Sequence, residues 1–223
     1  MHTSVQRLNF VKNKVREIID RKQLKTVPQI IAVTKSFPLN KISPLLEVGH
    51  IHFGENKIQE AESKWTDVKN KYKNLQLHMV GKLQSNKAKK AVKLFDYIHS
   101  LDNLKLATKL SQYEKELEKK TKLFIQVNIA EESQKSGVLL NNLEQFYNFC
   151  INKLSLNIIG LMCLPPIDDK SGDYFKILKS TADKLNLKDL SMGMSSDFEQ
   201  AIINGSTYLR LGTIILGERK LIT

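Results

Sequence analysis

The sequence predicts an α/β fold, a single-domain (β/α)8 TIM barrel with an extra helix at its N-terminus. Three observations favour this fold: helical and strand-like segments alternate along the chain, eight segments are strand-like, and most of these are apolar throughout. The length of 223 residues is at the small end of the usual barrel size. An open doubly wound sheet is the alternative, but no G-x-G-x-x-G motif follows the first strand.

The first half of the chain supplies a lead-in helix and five strands. Apolar residues at helical spacing predict the lead-in helix over residues 5–22, and the run IIAV predicts a doubly buried first strand over residues 29–35. Further helices are predicted over residues 42–48, 56–69, 85–95 and in the segment that ends near residue 120. Between them, strands are predicted over residues 50–55, 75–81, 97–101 and 122–129.

The second half repeats this pattern. Helices are predicted over residues 138–154 and 173–185, and strands over residues 157–164 and 190–194. Pro165 and Pro166 stop the sixth strand. No Pro-, Gly- or Ser-rich linker divides the chain, so we expect residues 1–223 to form one domain.

The segment after the seventh strand has the signature of a helix start. Ser196 and Glu199 have the S-x-x-E spacing of a capping box, which predicts that a helix opens at Ser196. The first N–H groups of a helix lack intrahelical partners and attract anions, and Ser195 and Ser196 add hydroxyl donors there. Gly205 is predicted to end this helix.

An eighth strand is predicted over residues 207–216 and contains the pair Gly212 and Thr213. In barrels of this kind, phosphate often binds to the loops that follow strands seven and eight. Ser195, Ser196, Gly212 and Thr213 fall at these two places. The sequence therefore predicts a phosphate site, and a site for a bare sulfate or phosphate ion is the simpler alternative.

Lys35 is the last residue of the predicted first strand, at the same rim of the barrel. Closure of a barrel places strand one beside strand eight, which carries Arg210. A nearby positive charge and partial desolvation favour the neutral amine, which is the form that attacks a carbonyl. A lysine and a phosphate site separated by one small ring predict pyridoxal 5′-phosphate (PLP), held as a Schiff base.

Arg210 has two interpretations. It is either a buried arginine paired with a carboxylate, for which Glu55 and Asp197 are candidates, or a donor to the pyridine nitrogen of PLP. In the second role it keeps the pyridine nitrogen unprotonated, so the ring is a weak electron sink. This favours holding the cofactor over strong carbanion stabilisation.

Composition limits the remaining function classes. The net charge of +12 comes mostly from lysines on predicted helix surfaces, and aromatic residues are not interleaved with them, so nucleic acid is not the expected partner. Cys150 and Cys163 lack C-x-x-C spacing and are predicted to be buried free thiols of a reducing compartment. With no signal-peptide h-region and no apolar run of about 18 residues, we expect a cytoplasmic protein without a membrane partner.

The histidines do not predict a metal site. His50 and His52 share a predicted strand face, but no third ligand lies nearby in the sequence. His78 is predicted to be a hydrogen-bonded core residue. No Ser-His-Asp or Cys-His arrangement follows from the spacing, so no catalytic residue is assigned.

Motifs that are specific in combination run through nearly the whole chain: AVTKSFP, FGENKIQEAESKW, HMVGKLQSNKAKK, VNIAEESQKSG, GLMCLPP and LSMGMSSDFEQAIINGSTYLRLGTIILGER. In these motifs the sequence resembles the pyridoxal-phosphate homeostasis protein family, whose members are similar to the barrel half of bacterial alanine racemase. The resemblance implies that Lys35 is the Schiff-base lysine and that Arg210 faces the pyridine nitrogen. It also implies that Asn56, from FGEN, lies beside the ring or its 3-hydroxyl, and that the phosphate binds to Ser195, Ser196, Gly212 and Thr213.

The resemblance implies a protein that carries PLP as a lysine Schiff base and takes part in intracellular PLP (vitamin B6) and amino-acid homeostasis, without established catalysis. PLP is then the expected ligand, PLP-dependent apo-enzymes are the expected recipients, and the protein is expected to be a monomer. A PLP-dependent amino-acid racemase or lyase is the alternative, and a nucleic-acid-binding protein is a further one.

Two lysine positions qualify this resemblance. Phe37 stands where many relatives have a second lysine, so a role for that lysine in passing PLP onward is not expected here. Lys135, in EESQKSG, matches a family lysine associated with secondary PLP contact, and a solvated loop charge is the alternative.

Overall fold

Eight parallel strands pair in sequence order and close into a barrel in the computed structural model, which describes residues 2–166 and 170–218. Closure is made by β1 and β8, with Ile31 opposite Arg210 and Ala32 opposite Leu211. This arrangement confirms the predicted (β/α)8 barrel. The strands are β1 Gln29–Val33, β2 His52–Glu55, β3 Gln76–Met79, β4 Tyr97–Leu101, β5 Lys122–Val127, β6 Ile158–Cys163, β7 Asp189–Ser191 and β8 Tyr208–Leu211.

Helices alternate with the strands and cover the outside of the barrel. A 3-10 helix, Ser85–Lys87, directly precedes the fourth α-helix. The α-helices in the described part of the chain are α1 Thr3–Lys22, α2 Leu39–Glu47, α3 Ile58–Lys71, α4 Ala88–Leu94, α5 Leu104–Glu116, α6 Leu140–Asn152, α7 Ser171–Lys184, α8 Phe198–Ile203 and α9 Thr213–Leu216.

The extra N-terminal helix, α1, is present as predicted. Its apolar stripe is buried, with Leu8, Val11 and Val15 almost completely excluded from solvent. These residues recur every three or four positions, so they lie on one face of the helix. That face packs against α2, α8 and α9, and α1 therefore covers the side of the barrel where the first and last strands meet.

Apolar side chains fill two layers. The outer layer lies between strands and helices and contains the largest buried side chains, including Phe53, Trp65 and Phe95. The inner layer lies within the barrel and contains Tyr97 and Phe124 with Met162. Strands buried on both faces in this way explain the continuous apolar runs of the sequence.

Several strand ends differ from the prediction, and those of β1 and β8 affect the candidate site. β1 ends at Val33, so Lys35 lies in the turn that follows and not in the strand itself. β8 ends at Leu211, and residues Thr213–Leu216 form helix α9. The apolar, β-branched run of α9 resembles a strand in sequence, but the chain turns at Gly212, whose carbonyl accepts hydrogen bonds from the N–H groups of Ile215 and Leu216.

The described residues include two free cysteines, Cys150 and Cys163, and both are buried, as predicted. Within residues 2–166 and 170–218, no cluster of three or more histidine, cysteine or acidic side chains is arranged to hold a metal ion. None of the described helices is both long enough and apolar enough to cross a lipid bilayer.

Candidate functional site

The candidate site lies at the carboxyl ends of β1, β2, β7 and β8. Parallel strands of a barrel all end at the same rim, so residues that follow different strands converge there. Lys35 follows β1, Asn56 follows β2, Ser195 and Ser196 follow β7, and Gly212 and Thr213 follow β8. Because β1 and β8 pair directly, the Lys35 turn and the Gly212–Thr213 segment leave neighbouring strands.

The turn that carries Lys35 has a fixed backbone. Ser36 adopts a left-handed conformation with φ of 64°, which is uncommon for a residue with a side chain. The turn is closed by the N–H of Phe37, which donates to the carbonyl of Thr34 at 3.1 Å. The N–H of Ser36 donates to the Glu60 carboxylate at 2.6 Å. Helix α3, which contains Glu60, thus holds the residue next to Lys35, and Lys35 itself is half-buried.

Two carboxylates anchor this turn from below. Glu55, at the end of β2, is completely buried, and its Oε1 accepts hydrogen bonds from Thr34 Oγ1 at 2.7 Å and from Trp65 Nε1 at 2.9 Å. Lys64 Nζ donates to Glu55 Oε1 and to Glu60 Oε1, both at 2.8 Å, and to the Thr34 carbonyl at 2.9 Å. One ammonium group therefore connects both carboxylates to the Lys35 turn.

The environment of Glu60 favours its charged form. Partial burial alone raises the pKa of a carboxyl group, but hydrogen bonds from Lys64 and from the Ser36 N–H stabilise the carboxylate. The net effect is a pKa of Glu60 below its ordinary value. Glu60 therefore stays ionised at neutral pH and keeps its bond to the turn.

The side-chain oxygen of Asn56 is a buried hydrogen-bond acceptor without a donor among the described residues. This Oδ1 atom is inaccessible to solvent and accepts no hydrogen bond from any described residue. The Asn56 backbone is fixed by Gly81, which follows β3, because a Cβ at position 81 would lie only 2.4 Å from the Asn56 carbonyl oxygen. A buried amide oxygen without a donor is costly in a folded protein. A ligand hydroxyl or N–H group would satisfy it.

The loop between β7 and α8 forms a turn, not the predicted capping box. Helix α8 begins at Phe198, and its N-cap residue is Asp197, so the prediction of a helix start at Ser196 is wrong. The Asp197 carboxylate accepts a hydrogen bond from the Met194 N–H at 2.6 Å. The Phe198 N–H donates to the Met194 carbonyl at 2.9 Å. This closed turn holds Ser195 and Ser196 just before the helix.

Ser195 connects the two loops that were predicted to bind phosphate. Its Oγ accepts a hydrogen bond from the N–H of Ile214, in the first turn of α9, at 3.4 Å. Gly212 is the N-cap residue of α9 and Thr213 is its first residue. No described residue accepts a hydrogen bond from the backbone N–H of Ser196, Gly212 or Thr213. Backbone N–H groups without acceptors on both loops make this region a candidate anion site.

An open cavity of about 590 Å³ lies beside these loops. Ser195, Thr213 and Gly217 contribute to its wall, and so does Arg7 of helix α1. The Arg7 guanidinium packs closely on Gly217, where a Cβ would lie 2.4 Å from Nη1. Sequence reasoning missed Arg7, because nothing in an amphipathic helix shows that its polar face meets a loop more than 200 residues later.

Arg210 is 4% exposed and lies inside the barrel. Its Nη1 donates to Ser191 Oγ at 2.7 Å, and its Nη2 donates to the Cys163 carbonyl at 2.8 Å. Neither Glu55 nor Asp197 accepts a hydrogen bond from it, so the carboxylate-paired interpretation is wrong. Burial lowers the pKa of Arg210, but a guanidinium group remains charged at neutral pH.

The structure also places the two lysine-related positions that qualified the family resemblance, Lys135 and Phe37. Lys135 forms an ion pair with Glu132 in the loop that follows β5, and its side chain is partly exposed. Phe37 packs partly buried against the outer apolar layer. The position of the missing second lysine is thus occupied by an apolar contact.

Both the sequence and the fold are similar to those of known proteins. The family model of the alanine racemase N-terminal domain matches residues 8–220. A Synechocystis protein named pyridoxal phosphate homeostasis protein is 38% identical over 200 residues, which cover 86% of this chain and 91% of the relative. A relative of the same name from Aquifex aeolicus is 32% identical, with 96% and 98% of the two chains covered.

Solved structures with a similar fold include a relative and a more distant enzyme. The structure of PipY from Synechococcus elongatus with PLP bound has a TM-score of 0.79 and 35% sequence identity, and covers 91% of this chain and 100% of that chain. An alanine racemase from Clostridium difficile has a TM-score of 0.68 at 14% identity, covering 94% of this chain and 58% of that chain. At this identity, the second likeness shows a shared fold alone.

Proposed function

We propose that this chain, which belongs to the alanine racemase N-terminal domain family and within it to the pyridoxal phosphate homeostasis proteins, binds PLP through Lys35. The observation that carries the proposal is the pairing of β1 with β8, which joins the Lys35 turn to the strand that ends at the anion site. PipY, a relative of similar length, has a structure with PLP bound.

We propose a role for each residue of the site. The Lys35 amine forms the covalent attachment, the Asn56 amide contacts the ring substituents, and Arg210 faces the pyridine nitrogen. Ser195, Ser196, Gly212 and Thr213 bind the phosphate through backbone N–H groups and hydroxyls. PLP itself supplies an aldehyde that a neutral amine attacks and a phosphate dianion that fits a positive, donor-rich pocket.

Features of the described residues support this fit. The buried Asn56 Oδ1 has no donor, and backbone N–H groups of both phosphate loops lack acceptors. The buried Arg210 guanidinium carries a positive charge inside the barrel, where it donates to Ser191 and to the Cys163 carbonyl. The chain therefore offers an attachment point, a ring contact and an anion site at one rim.

We further propose that the protein holds PLP for PLP and amino-acid homeostasis and does not catalyse a reaction. An arginine at the pyridine nitrogen donates a hydrogen bond but is too basic to transfer its proton, so the nitrogen stays unprotonated and the ring withdraws electrons weakly. The relatives are named homeostasis proteins. The similarity to the alanine racemase N-terminal domain keeps a racemase-type activity as the second candidate.

The attachment is tested with the purified protein and added PLP. We expect an absorbance band of bound PLP that borohydride removes, and peptide mass mapping should then find the reduced adduct on Lys35. Lys35→Ala should lose the adduct. Lys41→Ala, which removes an exposed lysine of α2, is the matched control and should keep it. An adduct on another lysine in the parent protein would contradict the assignment.

Exchange of the α-proton separates carrying from catalysis. The PLP-loaded protein is incubated in deuterated water with a panel of amino acids, and deuterium at the α-carbon is measured. A carrier incorporates deuterium no faster than the Lys35→Ala variant does. Multiple turnovers with one amino acid would favour the racemase or lyase candidate.

We propose that the protein acts as a cytoplasmic monomer, with residues 1–223 as one domain, and that it delivers PLP to PLP-dependent apo-enzymes. Size-exclusion chromatography with light scattering tests the monomer. Delivery is tested by mixing the loaded protein with an apo-enzyme in the presence of a trap for free PLP. Reactivation of the apo-enzyme despite the trap is the expected result, and no reactivation would contradict direct transfer.

A further inference from the structure

A line of buried polar side chains crosses the interior of the barrel and ends on Arg210. It contains three histidines from adjacent strands, His52 of β2, His78 of β3 and His99 of β4. His52 Nδ1 lies 3.0 Å from His78 Nε2, and His78 Nδ1 lies 3.0 Å from His99 Nε2. His99 Nδ1 lies 2.8 Å from Ser191 Oγ, which accepts the Nη1 hydrogen bond of Arg210. We call the three rings the histidine chain.

Aromatic neighbours isolate this chain from water. His78 stacks on Tyr97 with 4.2 Å between ring centroids, and His99 stacks on Phe124 with 4.4 Å. His78 and His99 are completely buried. Within the described residues, the ring nitrogens of these two histidines have no hydrogen-bond partner outside the line. The hydrogen bonds of each ring therefore depend on those of the next.

The three rings are neutral. Burial lowers the pKa of His78 and His99 well below the ordinary value, and the neighbouring imidazoles and Arg210 lower it further. Burial and the Lys122 ammonium lower the pKa of His52 to about 4. A neutral imidazole has one donor nitrogen and one acceptor nitrogen. A ring that accepts a hydrogen bond on one nitrogen must therefore donate from the other, and the donor–acceptor direction is the same along the whole line.

The direction is set at the Arg210 end. Arg210 can only donate, so Ser191 Oγ accepts from it. The positive guanidinium attracts the oxygen of the Ser191 hydroxyl and repels its proton. The Ser191 O–H therefore donates in the other direction, to His99 Nδ1. His99 then carries its proton on Nε2 and donates to His78 Nδ1. By the same rule, His78 donates from Nε2 to His52 Nδ1.

We propose that the histidine chain and Ser191 are positioning residues that fix the Arg210 guanidinium from inside the barrel, with all three rings in the Nε2–H form. This role rests on the proposed function, because Arg210 is the proposed contact of the PLP pyridine nitrogen. His52, at the other end of the histidine chain from Arg210, lines a surface depression of about 320 Å³ next to α1. This depression lies at the opposite end of the barrel from Lys35. The histidine chain thus connects the amino-terminal end of the barrel to the proposed cofactor site.

The tautomers are measured first, on the protein without PLP. Nitrogen-15 NMR of imidazole-labelled protein near pH 7.5 distinguishes Nε2–H from Nδ1–H rings, and single His→Gln variants assign the signals. All three rings are expected in the Nε2–H form. His50 is the internal reference, because its Nε2 can only donate to the His52 carbonyl that it contacts at 2.9 Å. A mixture of forms within the chain, or Nδ1–H throughout, would overturn the proposal.

The second test compares two buried hydroxyls of the same region. Ser191→Ala removes the connection between Arg210 and His99. Ser206→Ala removes a hydroxyl that donates only to backbone carbonyls, with the Met192 carbonyl nearest at 2.8 Å. We expect Ser191→Ala to keep the borohydride adduct on Lys35 but to shift the PLP absorption band and weaken PLP binding roughly tenfold, equivalent to about 1.4 kcal/mol. Ser206→Ala should change neither the band nor the affinity.

These results separate the two proposals. Equal spectra and affinities for Ser191→Ala and Ser206→Ala would overturn the positioning role while the adduct on Lys35 still supported PLP binding. Absence of the adduct in the parent protein would instead overturn the proposed function and leave the tautomer measurement intact. If Ser191→Ala does not fold, the NMR test on the parent protein decides alone.

Discussion

Single residues at the rim are fixed by close backbone contacts. Gly81 is the clearest case, because its Cα packs directly against the Asn56 backbone. A side chain at position 81 would meet backbone atoms, which cannot rotate away as a flexible side chain would. The position of the Asn56 amide therefore depends on a residue that does not itself touch the ligand.

Gly81→Ala is expected to destabilise the protein by about 1–3 kcal/mol and to weaken PLP binding, because the new methyl group displaces Asn56. Chemical denaturation and PLP titration measure the two effects. Gly172→Ala is the control: Gly172 lies near the start of α7, and a Cβ there would approach side-chain atoms, Gln200 Oε1 at 3.3 Å and Asn204 Nδ2 at 3.9 Å. Normal PLP affinity in Gly81→Ala would contradict the contact.

Some of these residues were predictable from the sequence and some were not. Lys35 and Arg210 stand out in the sequence because an apolar strand precedes the first and contains the second, and their roles in the site stay predictions. The helix start at Ser196 was predicted wrongly because Asp197 competes for the same turn and bonds to the Met194 N–H. The histidine chain was missed, apart from a buried role for His78, because its contacts depend on the registers of three strands and no sequence spacing encodes them.

At the scale of elements, helix α3 holds the Lys35 turn. Lys64 on this helix joins Glu55 of β2 to Glu60 of α3, and both carboxylates bond to the turn. The Lys64 side chain is only 7% exposed, so the Glu55 carboxylate relies on it for charge compensation. Removal of one partner of a buried ion pair is far more costly than removal of a surface pair.

Lys64→Met is expected to destabilise the protein by about 3–5 kcal/mol and to slow adduct formation at Lys35, because Glu55 is left buried without its cation. Lys90→Met is the matched control, since Lys90 pairs with Glu62 on the exposed surface and should change stability by less than about 1 kcal/mol. Denaturation curves and timed borohydride trapping give both quantities. Equal losses in the two variants would show that Lys64 has no special role.

The same scale explains which element boundaries were missed. The eight strands and the lead-in helix were predictable because their apolar residues recur in patterns that the closed barrel buries. Helix α9 was predicted as a continuation of β8 because Thr213, Ile214 and Ile215 favour strands locally. Tertiary contacts decide otherwise: Ile215 is completely buried and the Ile214 N–H bonds to Ser195.

The whole molecule should lose stability as the pH falls. Burial, with the nearby Lys12 and His52, lowers the pKa of His50 to about 4, against 6.5 for an ordinary histidine. Between these values the unfolded chain binds a proton that the folded protein excludes, so the free energy of unfolding decreases as the pH falls. The stabilisation is fully present above about pH 6.5 and is lost as the pH falls to about 4.

For His50 alone, the expected loss between pH 7.5 and pH 5 is about 2 kcal/mol. Denaturant unfolding at the two pH values measures it, and the His50→Gln variant should show a correspondingly smaller difference. An unchanged pH dependence in His50→Gln would contradict a neutral, buried His50. Since His52 also has a pKa of about 4, the variant should retain part of the acid sensitivity.

The seam between β1 and β8 has a consequence for protein synthesis. Lys35 is translated well before β8, the strand that completes the barrel beside β1. Until that strand leaves the exit tunnel and pairs, the nascent lysine has neither its neighbouring arginine nor an anion pocket. We therefore expect the proposed PLP site to form only once β8 has been translated and the barrel has closed.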